Sequence, residues 1–263
     1  MGTTAQKLNK ILETKEAIRT AINNKGGTLT TTDTFASYPT AIDNLPSGGT
    51  DWLKEYLDET KDASFLFSGK AYVSSGTKTT WYYNLTYERL QNILSYNTTS
   101  SVTNMKSMFY YCNQLTTIPL INTSLVTTMS GMFTQCSKLT TIPQLDTSNV
   151  TNMSGMFYYC YLLTTIDITH MNITSDSNSS NFAYNCYSLT KLIIRNMTTI
   201  PTLSSNAFNN CYHFTGTTNA TYNPQGLKDG RIYVPDDKVD ALKTATNWST
   251  YADIIVPLST LQE

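Results

Sequence analysis

Five cysteines (Cys112, Cys136, Cys160, Cys186, Cys211) and two histidines (His170, His213) are the residues of this chain best suited to nucleophilic, redox or metal chemistry. Thiols can pair as disulfides, and a cysteine–histidine set can hold zinc. The spacing argues against both. The cysteines recur at intervals of 24, 24, 26 and 25 residues, which is a repeat period rather than a framework of pairs. Equivalent positions in stacked units point their Cβ vectors the same way, which opposes disulfide geometry. Neither histidine is placed to complete a zinc site. Five reduced thiols packing as small hydrophobes are expected. Histidine is the commonest general base near neutral pH, and only two are present. Asp58, Glu59 and Asp62 read as a solvated surface, and the pair Asp236-Asp237 as a helix cap. No phosphate-binding loop, dinucleotide fingerprint, zinc-helix motif or nucleophile elbow occurs. The expectation is a protein that is not an enzyme, with no catalytic residue, no cofactor and no metal.

The repeats set the frame that must position any site. The first copy runs from Val102 through Met105, Met108-Phe109 and Cys112 to Leu115, Ile118-Pro119 and Leu120. The second has Val126, Met129, Met132-Phe133, Cys136, Leu139, Ile142-Pro143 and Leu145; the third has Val150, Met153, Met156-Phe157, Cys160, Leu163, Ile166 and Ile168. Two drifted copies surround Cys186 and Cys211, where Met-Phe becomes Phe182-Ala183 and then Ala207-Phe208. Leu115, Ile118 and Leu120 keep the L-x-x-L-x-L spacing of a leucine-rich repeat, predicting a short strand with those side chains inward. Val102, Met105, Met108 and Phe109 form a second apolar set at roughly helical spacing on the return limb. One unit cannot bury both sets, whereas stacking does so and turns each position into a ladder. At about 4.8 Å between strand neighbours, five units make a short block.

The flanks depart from the period. Residues 51–96 read as an N-terminal cap: a short helix at Trp52 to Leu57, strands at Ser64–Phe67 and Lys70–Val73 around Gly69, and a helix at Leu85–Leu94. A loop is expected between Phe214 and Gly230. Ile232 and Val234 then predict a strand stopped by Pro235, with Asp236 or Asp237 capping a helix through Ala245. Trp248 and Tyr251 should cover the last rung, and Ile254–Val256 should add a final strand. At the other end, Leu8, Ile11, Leu12, Ile18 and Ile22 share one face of a helix over roughly 4–24, followed by a linker at 46–50. So few apolar groups do not fold alone, so this face is expected to dock on another subunit or structure, the alternative being a helix folded back on its own solenoid.

The composition excludes several functions. Of 263 residues, 14% are charged, and the formal net charge is −1. No basic excess exists to neutralise phosphates, so nucleic-acid binding is not expected. No apolar run reaches about 18 residues, so no membrane insertion is expected. The first residues lack the apolar stretch of a signal peptide, which points either to a trimmed chain or to a route outward without secretion. About 45 threonines and about 23 asparagines replace the usual lysine and glutamate. Thr116-Thr117, Thr140-Thr141 and Thr164-Thr165 fall on equivalent rungs, where like charges would repel and hydroxyls can bond along the stack.

The string Asp146-Thr147-Ser148-Asn149-Val150-Thr151-Asn152-Met153-Ser154-Gly155-Met156-Phe157 resembles the repeat of BspA-like leucine-rich surface proteins. Asn206-Ala207-Phe208-Asn209-Asn210-Cys211 is similar to a second repeat flavour of that group. The stretch Arg231 to Leu242, with Asn247-Trp248-Ser249-Thr250-Tyr251-Ala252, resembles its closing segment. The resemblance covers roughly 97–260. It implies a non-catalytic adhesion or recognition surface and no particular ligand. The N-terminal stretch Lys7 to Ile18, with Ala21 to Gly26 and Tyr38-Pro39-Thr40-Ala41-Ile42, resembles the attachment segment of phage tail and fibre proteins, which are freed by lysis and need no signal peptide.

The expected organisation is an α+β repeat. A short BspA-like leucine-rich-repeat solenoid at 97–215 carries an N-terminal cap at 51–96, a loop and C-terminal cap at 216–263, and an attachment or oligomerisation module at 1–45 with a docking helix. The expected function is that of a bacteriophage tail or head fibre recognising a host surface glycan or protein. Residues 1–45 would bind other virion proteins and form a homodimer or homotrimer. The alternatives are a bacterial cell-surface adhesin and, more remotely, a polysaccharide-degrading enzyme. The candidate ligand surface is a hydroxyl-rich strip, Thr117, Thr141, Thr165, Asp167 and Lys191, together with Tyr110, Tyr111, Tyr158, Tyr159 and Tyr161 near the cysteines. For the tyrosines, stacking on one another along the ladder is an equal alternative.

Overall fold

The computed structural model describes residues 96–262 without a break. Before them it describes residues 16, 19, 20, 23, 54, 57, 58, 60–64, 66–68, 70, 71, 79, 80, 87, 90, 91 and 94. The expected docking face of Leu8, Ile11, Leu12, Ile18 and Ile22, and the linker at 46–50, lie outside the described residues.

In the limb leading to each cysteine, backbone N–H groups alternate between two destinations. Met108, Tyr110 and Cys112 donate to the carbonyls of Met105, Ser107 and Phe109, closing turns within the repeat. Met105, Ser107, Phe109 and Tyr111 donate to Thr128, Ser130, Met132 and Thr134 of the next repeat. The second repeat joins the third in the same way, with Met129, Gly131, Phe133 and Gln135 donating to Asn152, Ser154, Met156 and Tyr158. A helix would send each of these donors to its own i−4 carbonyl, so the helical spacing of Val102, Met105, Met108 and Phe109 marks a chain of turns. Left-handed residues make the corners, two in each of the first four repeats and one in the fifth. One column is Ser107, Gly131, Gly155 and Asn181; the other is Tyr111, Gln135, Tyr159, Asn185 and Asn210, all with φ between 54° and 66°. Asn104 and Asn152 begin the limb by accepting the amides of Lys106 and Ser154 on their side-chain oxygens, each at 3.0 Å, an Asx turn.

The rings of Phe109, Phe133 and Phe157 stack at 5.4 and 5.5 Å with planes within 7° of parallel. Phe67 extends the column, 5.6 Å from Phe109. The Phe67 amide donates to Met108, the Ala63 amide donates to Asn104, and Asp62 pairs in parallel with Asn104. The described residues 62–64 and 66–68 therefore form a further rung, and those of the strand expected at Ser64–Phe67 are in turns instead. The Asp62 carboxylate takes the Ser64 amide at 2.8 Å, as Asn104 takes that of Lys106. Beyond Phe157 the column changes: Phe182 sits at the methionine position of its repeat, and its ring meets Phe157 edge-on at 89°. Among the cap residues, Leu57, Leu66, Leu90 and Leu94 join the buried core. Lys70–Ala71 (β1) pairs antiparallel with Thr79–Thr80 (β2).

After the cysteine, the chain turns into an extended limb. Thr165–His170 (β3), Lys191–Asn196 (β4), Arg231–Val234 (β5) and Ile255–Pro257 (β6) form a parallel sheet in that order. The first two repeats carry no strand here. Pro119 and Pro143 lack the amide a ladder needs, whereas the third repeat has Asp167 at that position and forms β3. The missing strand also shifts the inward set. Leu120 is 55% exposed and Ile121 is buried instead, so Leu115, Ile118 and Ile121 point inward at intervals of three. Leu139, Ile142 and Leu145 follow the same interval. The third repeat, with Leu163, Ile166 and Ile168 buried, keeps the predicted spacing, and so does the fourth, with Leu189, Leu192 and Ile194.

The C-terminal end closes the stack. Trp248 is fully buried and its indole N–H donates to Pro201 at 2.8 Å; Tyr251 meets Phe208 edge-on at 5.4 Å. A 3-10 turn, Asp236–Lys238, leads into Val239–Thr244. Neither Asp236 nor Asp237 caps this segment: no side chain caps either helix, and the Asp236 carboxylate accepts the Ser259 hydroxyl at 2.6 Å and its amide at 3.1 Å. That bond ties the final residues to the sheet. The loop before Gly230 is organised by Asn223. This buried amide donates to Tyr212 and Leu227 and accepts from the Leu227 amide.

Candidate recognition surface

The cysteine column bears on chemistry first, because thiols are the strongest nucleophiles present. All five are free and buried. Each Sγ donates to a carbonyl one rung back: Cys112 to Phe67, Cys136 to Phe109, Cys160 to Phe133, Cys186 to Phe157 and Cys211 to Ala183, at 2.9–3.1 Å. Burial pushes the thiols of Cys136, Cys160, Cys186 and Cys211 far above their ordinary range, the opposite of an activated cysteine. His213 lies between the Asp229 carboxylate at 2.7 Å and the Tyr222 carbonyl at 3.1 Å, where it pins the loop. Among the described residues no three His, Cys, Asp or Glu side chains converge on a metal position.

The corner around the cysteines is built of tyrosine. Tyr110, Tyr111, Tyr158, Tyr159 and Tyr161, singled out from the sequence, are all half-buried and lie on this corner. Tyr110 packs edge-on against Tyr111 at 4.6 Å, and Tyr158 against Tyr159 at 4.3 Å. Tyr161 behaves differently, stacking on Tyr187 at 4.9 Å, which stacks on Tyr212 at 5.1 Å. Packing along the ladder thus accounts for Tyr161 and also engages Tyr158 and Tyr159, which meet Tyr184 of the next rung at 5.3 and 6.2 Å, whereas the Tyr110–Tyr111 pair forms within a rung. Tyr184 and Tyr222 complete the belt. The sequence reading missed Tyr184, Tyr187, Tyr212 and Tyr222. The signal was their register: Tyr187 and Tyr212 follow their cysteines by one residue, as Tyr161 does, and Tyr184 precedes its cysteine by two, as Tyr158 does. Burial, reinforced by Tyr159, pushes the Tyr158 phenol up to about 12, and burial raises those of Tyr161 and Tyr187. Those three phenols are neutral across the physiological range.

The hydroxyl strip is less uniform. Thr141 is exposed, Thr117 and Thr165 are half-buried, and the Thr117 and Thr141 hydroxyls are 3.5 Å apart. The bonding along this ladder comes instead from their neighbours: Thr140 donates to the Thr116 carbonyl at 3.1 Å and Thr164 to that of Thr140 at 3.3 Å. Asp167 is held from both sides, by the Arg195 guanidinium at 2.7 and 3.0 Å and by Gln144 at 3.2 Å. Lys191 is exposed beside Thr165. These side chains lie on the outer face of the extended limb, apart from the tyrosine corner. Arg195 and Gln144 escaped the sequence reading because their meeting depends on strand register.

No curated protein and no solved structure matches the chain. A family model described as Mycoplasma protein of unknown function, DUF285, matches it twice, over residues 78–196 and 116–221. Both matches centre on the cysteine-bearing repeats, and together they span more than half of the sequence. The chain therefore belongs to the DUF285 family, a repeat family found in BspA-like surface proteins.

Proposed function

We propose that this chain is a non-enzymatic recognition protein of a bacteriophage virion, a tail or head fibre. In this reading residues 1–45 dock it and oligomerise it, and the leucine-rich solenoid is displayed toward the host surface. The observation that carries the recognition half is the contrast between the cysteine and tyrosine columns. The groups able to do covalent chemistry are buried and bonded, while a neutral aromatic belt runs along the outside of the same rungs. Aromatic side chains with a polar tip are the residues most enriched where proteins bind other surfaces.

A second reading is a bacterial cell-surface adhesin binding a host protein or glycan; the Mycoplasma description of the family supports its bacterial source alone. One measurement separates the two. Mass spectrometry of purified virions should find the chain, and a variant lacking residues 1–48 should no longer be incorporated. Recovery only from bacterial envelopes would establish the adhesin instead. New reducing ends released from host capsule would overturn the non-enzymatic reading in both forms.

A further inference from the structure

Building on that recognition reading, we propose that the two edge-on pairs, Tyr110–Tyr111 and Tyr158–Tyr159, with Thr134 and Gln135 between them, bind a neutral glycan. One pyranose residue would lie across the rung that lacks tyrosine. The register follows from the backbone: the Tyr111 amide donates to Thr134 at 2.8 Å, and the Gln135 amide to Tyr158 at 2.7 Å. The pairs therefore occupy alternate rungs, roughly 10 Å apart at the spacing of strand neighbours. Between them the column holds a buried threonine, already bonded to the Gly155 carbonyl at 2.8 Å, and a half-buried amide.

An independent observation concerns the backbone. Tyr111 and Tyr159 adopt φ of 63° and 64°, in a column whose other members are Gln135, also at 63°, Asn185 and Asn210. Asparagine tolerates the left-handed region, whereas a bulky side chain there is an outlier. Two tyrosines held in that conformation at a surface corner mark positions kept for what the rings do, because strained residues cluster at ligand sites.

Charge selects the ligand class. The six residues carry no formal charge, and the one charged side chain within 110–114, 134–138 and 158–162 is Lys138, bonded to the Gln114 carbonyl oxygen at 2.8 Å. An anionic polymer finds no unengaged counter-charge at this corner. A purely apolar ligand would leave the half-buried Gln135 amide without a partner. A sugar matches both halves of the surface, presenting C–H faces to the rings and hydroxyls to the amide and phenols.

The test is affinity electrophoresis of the full chain in gels cast with dextran, mannan or galactomannan, with hyaluronan as the anionic control. At least one neutral polysaccharide should retard the protein, hyaluronan should not, and added salt should leave the retardation intact. Tyr111→Asn with Tyr159→Asn, which installs the residue found at 185 and 210, should weaken apparent affinity about tenfold while leaving thermal unfolding nearly unchanged. Retardation by none of the neutral polymers, equal retardation of the double variant, or retardation by hyaluronan alone overturns the site. So does dissociation of an oligomer by the double substitution, which would make the corner a contact between copies of this chain. Adsorption to host cells distinguishes the two levels. Equal adsorption by parent and double variant removes this site and leaves the recognition reading standing. A parent chain that binds glycan but no host cell removes the recognition reading and leaves the site.

Discussion

The Cys136 thiol donates to the Phe109 carbonyl at 3.1 Å, and both groups are fully buried. Because the same bond recurs on each rung, the cysteine period reflects a buried carbonyl that needs a small, weak donor. Cys136→Ala removes the donor and opens a small void, and about 2 kcal/mol should be lost in urea unfolding. Cys136→Ser restores a donor and should recover part of that loss. Serine as damaging as alanine would show that packing alone places the cysteine.

Burial and raised thiol pKa values also make a kinetic prediction. A chromophoric thiol reagent at neutral pH should leave all five cysteines unmodified in the native chain and modify all five in urea. Native modification should proceed no faster than global unfolding. Rapid reaction of one thiol would show that its rung opens locally.

Two left-handed corners, Gly155 and Gly131, and Gly230, which is not left-handed, give a graded series. Gly155 has φ of 60°, and a Cβ there would meet nothing nearer than 3.8 Å, so Gly155→Ala carries the backbone penalty alone, about 1 kcal/mol. At Gly131 the Cβ would lie 3.0 Å from the Ser107 hydroxyl, which adds to that cost. Gly230→Ala should be the most damaging, because its Cβ would fall 2.4 Å from the Phe214 ring. Thermal unfolding should rank the three in this order, and an inverted order would mean the corners relax freely.

The repeat unit, its buried cysteine and the closing Trp248 were legible because each is a residue type at a fixed interval. The strands were legible only where the backbone could pair. In the first two repeats Pro119 and Pro143 override the leucine pattern and turn Leu120 outward. The rung at 62–68 was hidden because it lacks cysteine and sits 42 residues before its equivalent in the first repeat, with β1, β2 and helical residues between. Only its Leu66-Phe67 pair echoes Met108-Phe109. Tyr184, Tyr187 and Tyr212 were missed although their register to the cysteines matches that of Tyr158 and Tyr161, because their repeats have lost the Met-Phe pair; Tyr222 lies in the loop and has no repeat register.

That hidden rung can be tested by substitution. Phe133 is stacked on both sides, by Phe109 and Phe157, and Phe133→Ala should cost about 3–5 kcal/mol. Phe67→Ala should also cost a clear amount, because Phe67 is buried and stacks on Phe109 at 5.6 Å. A negligible effect of Phe67→Ala would place residues 62–68 outside the cooperative stack.

Acid should weaken the fold through a small set of carboxylates. At Asp146 burial acts to raise the pKa, but the Ser148 amide and hydroxyl and the Thr169 hydroxyl outweigh it, leaving the group below its ordinary value. The Lys54 and Ser101 bonds lower Asp58, the Ser259 bonds lower Asp236, and the Lys228 bond lowers Asp253. Depressed folded values mean that the unfolded chain takes up protons first as pH falls. The contribution of these groups is therefore complete above about pH 4 and is lost as pH drops through their folded values. Thermal midpoints should hold level from neutral pH to about 5 and fall steeply below about 4. Asp146→Asn keeps an oxygen to accept the Ser148 amide and removes the titration, so its midpoint should fall less over the acid range. An acid slope equal to the parent's would show that the Asp146 bonds give the charged form no advantage.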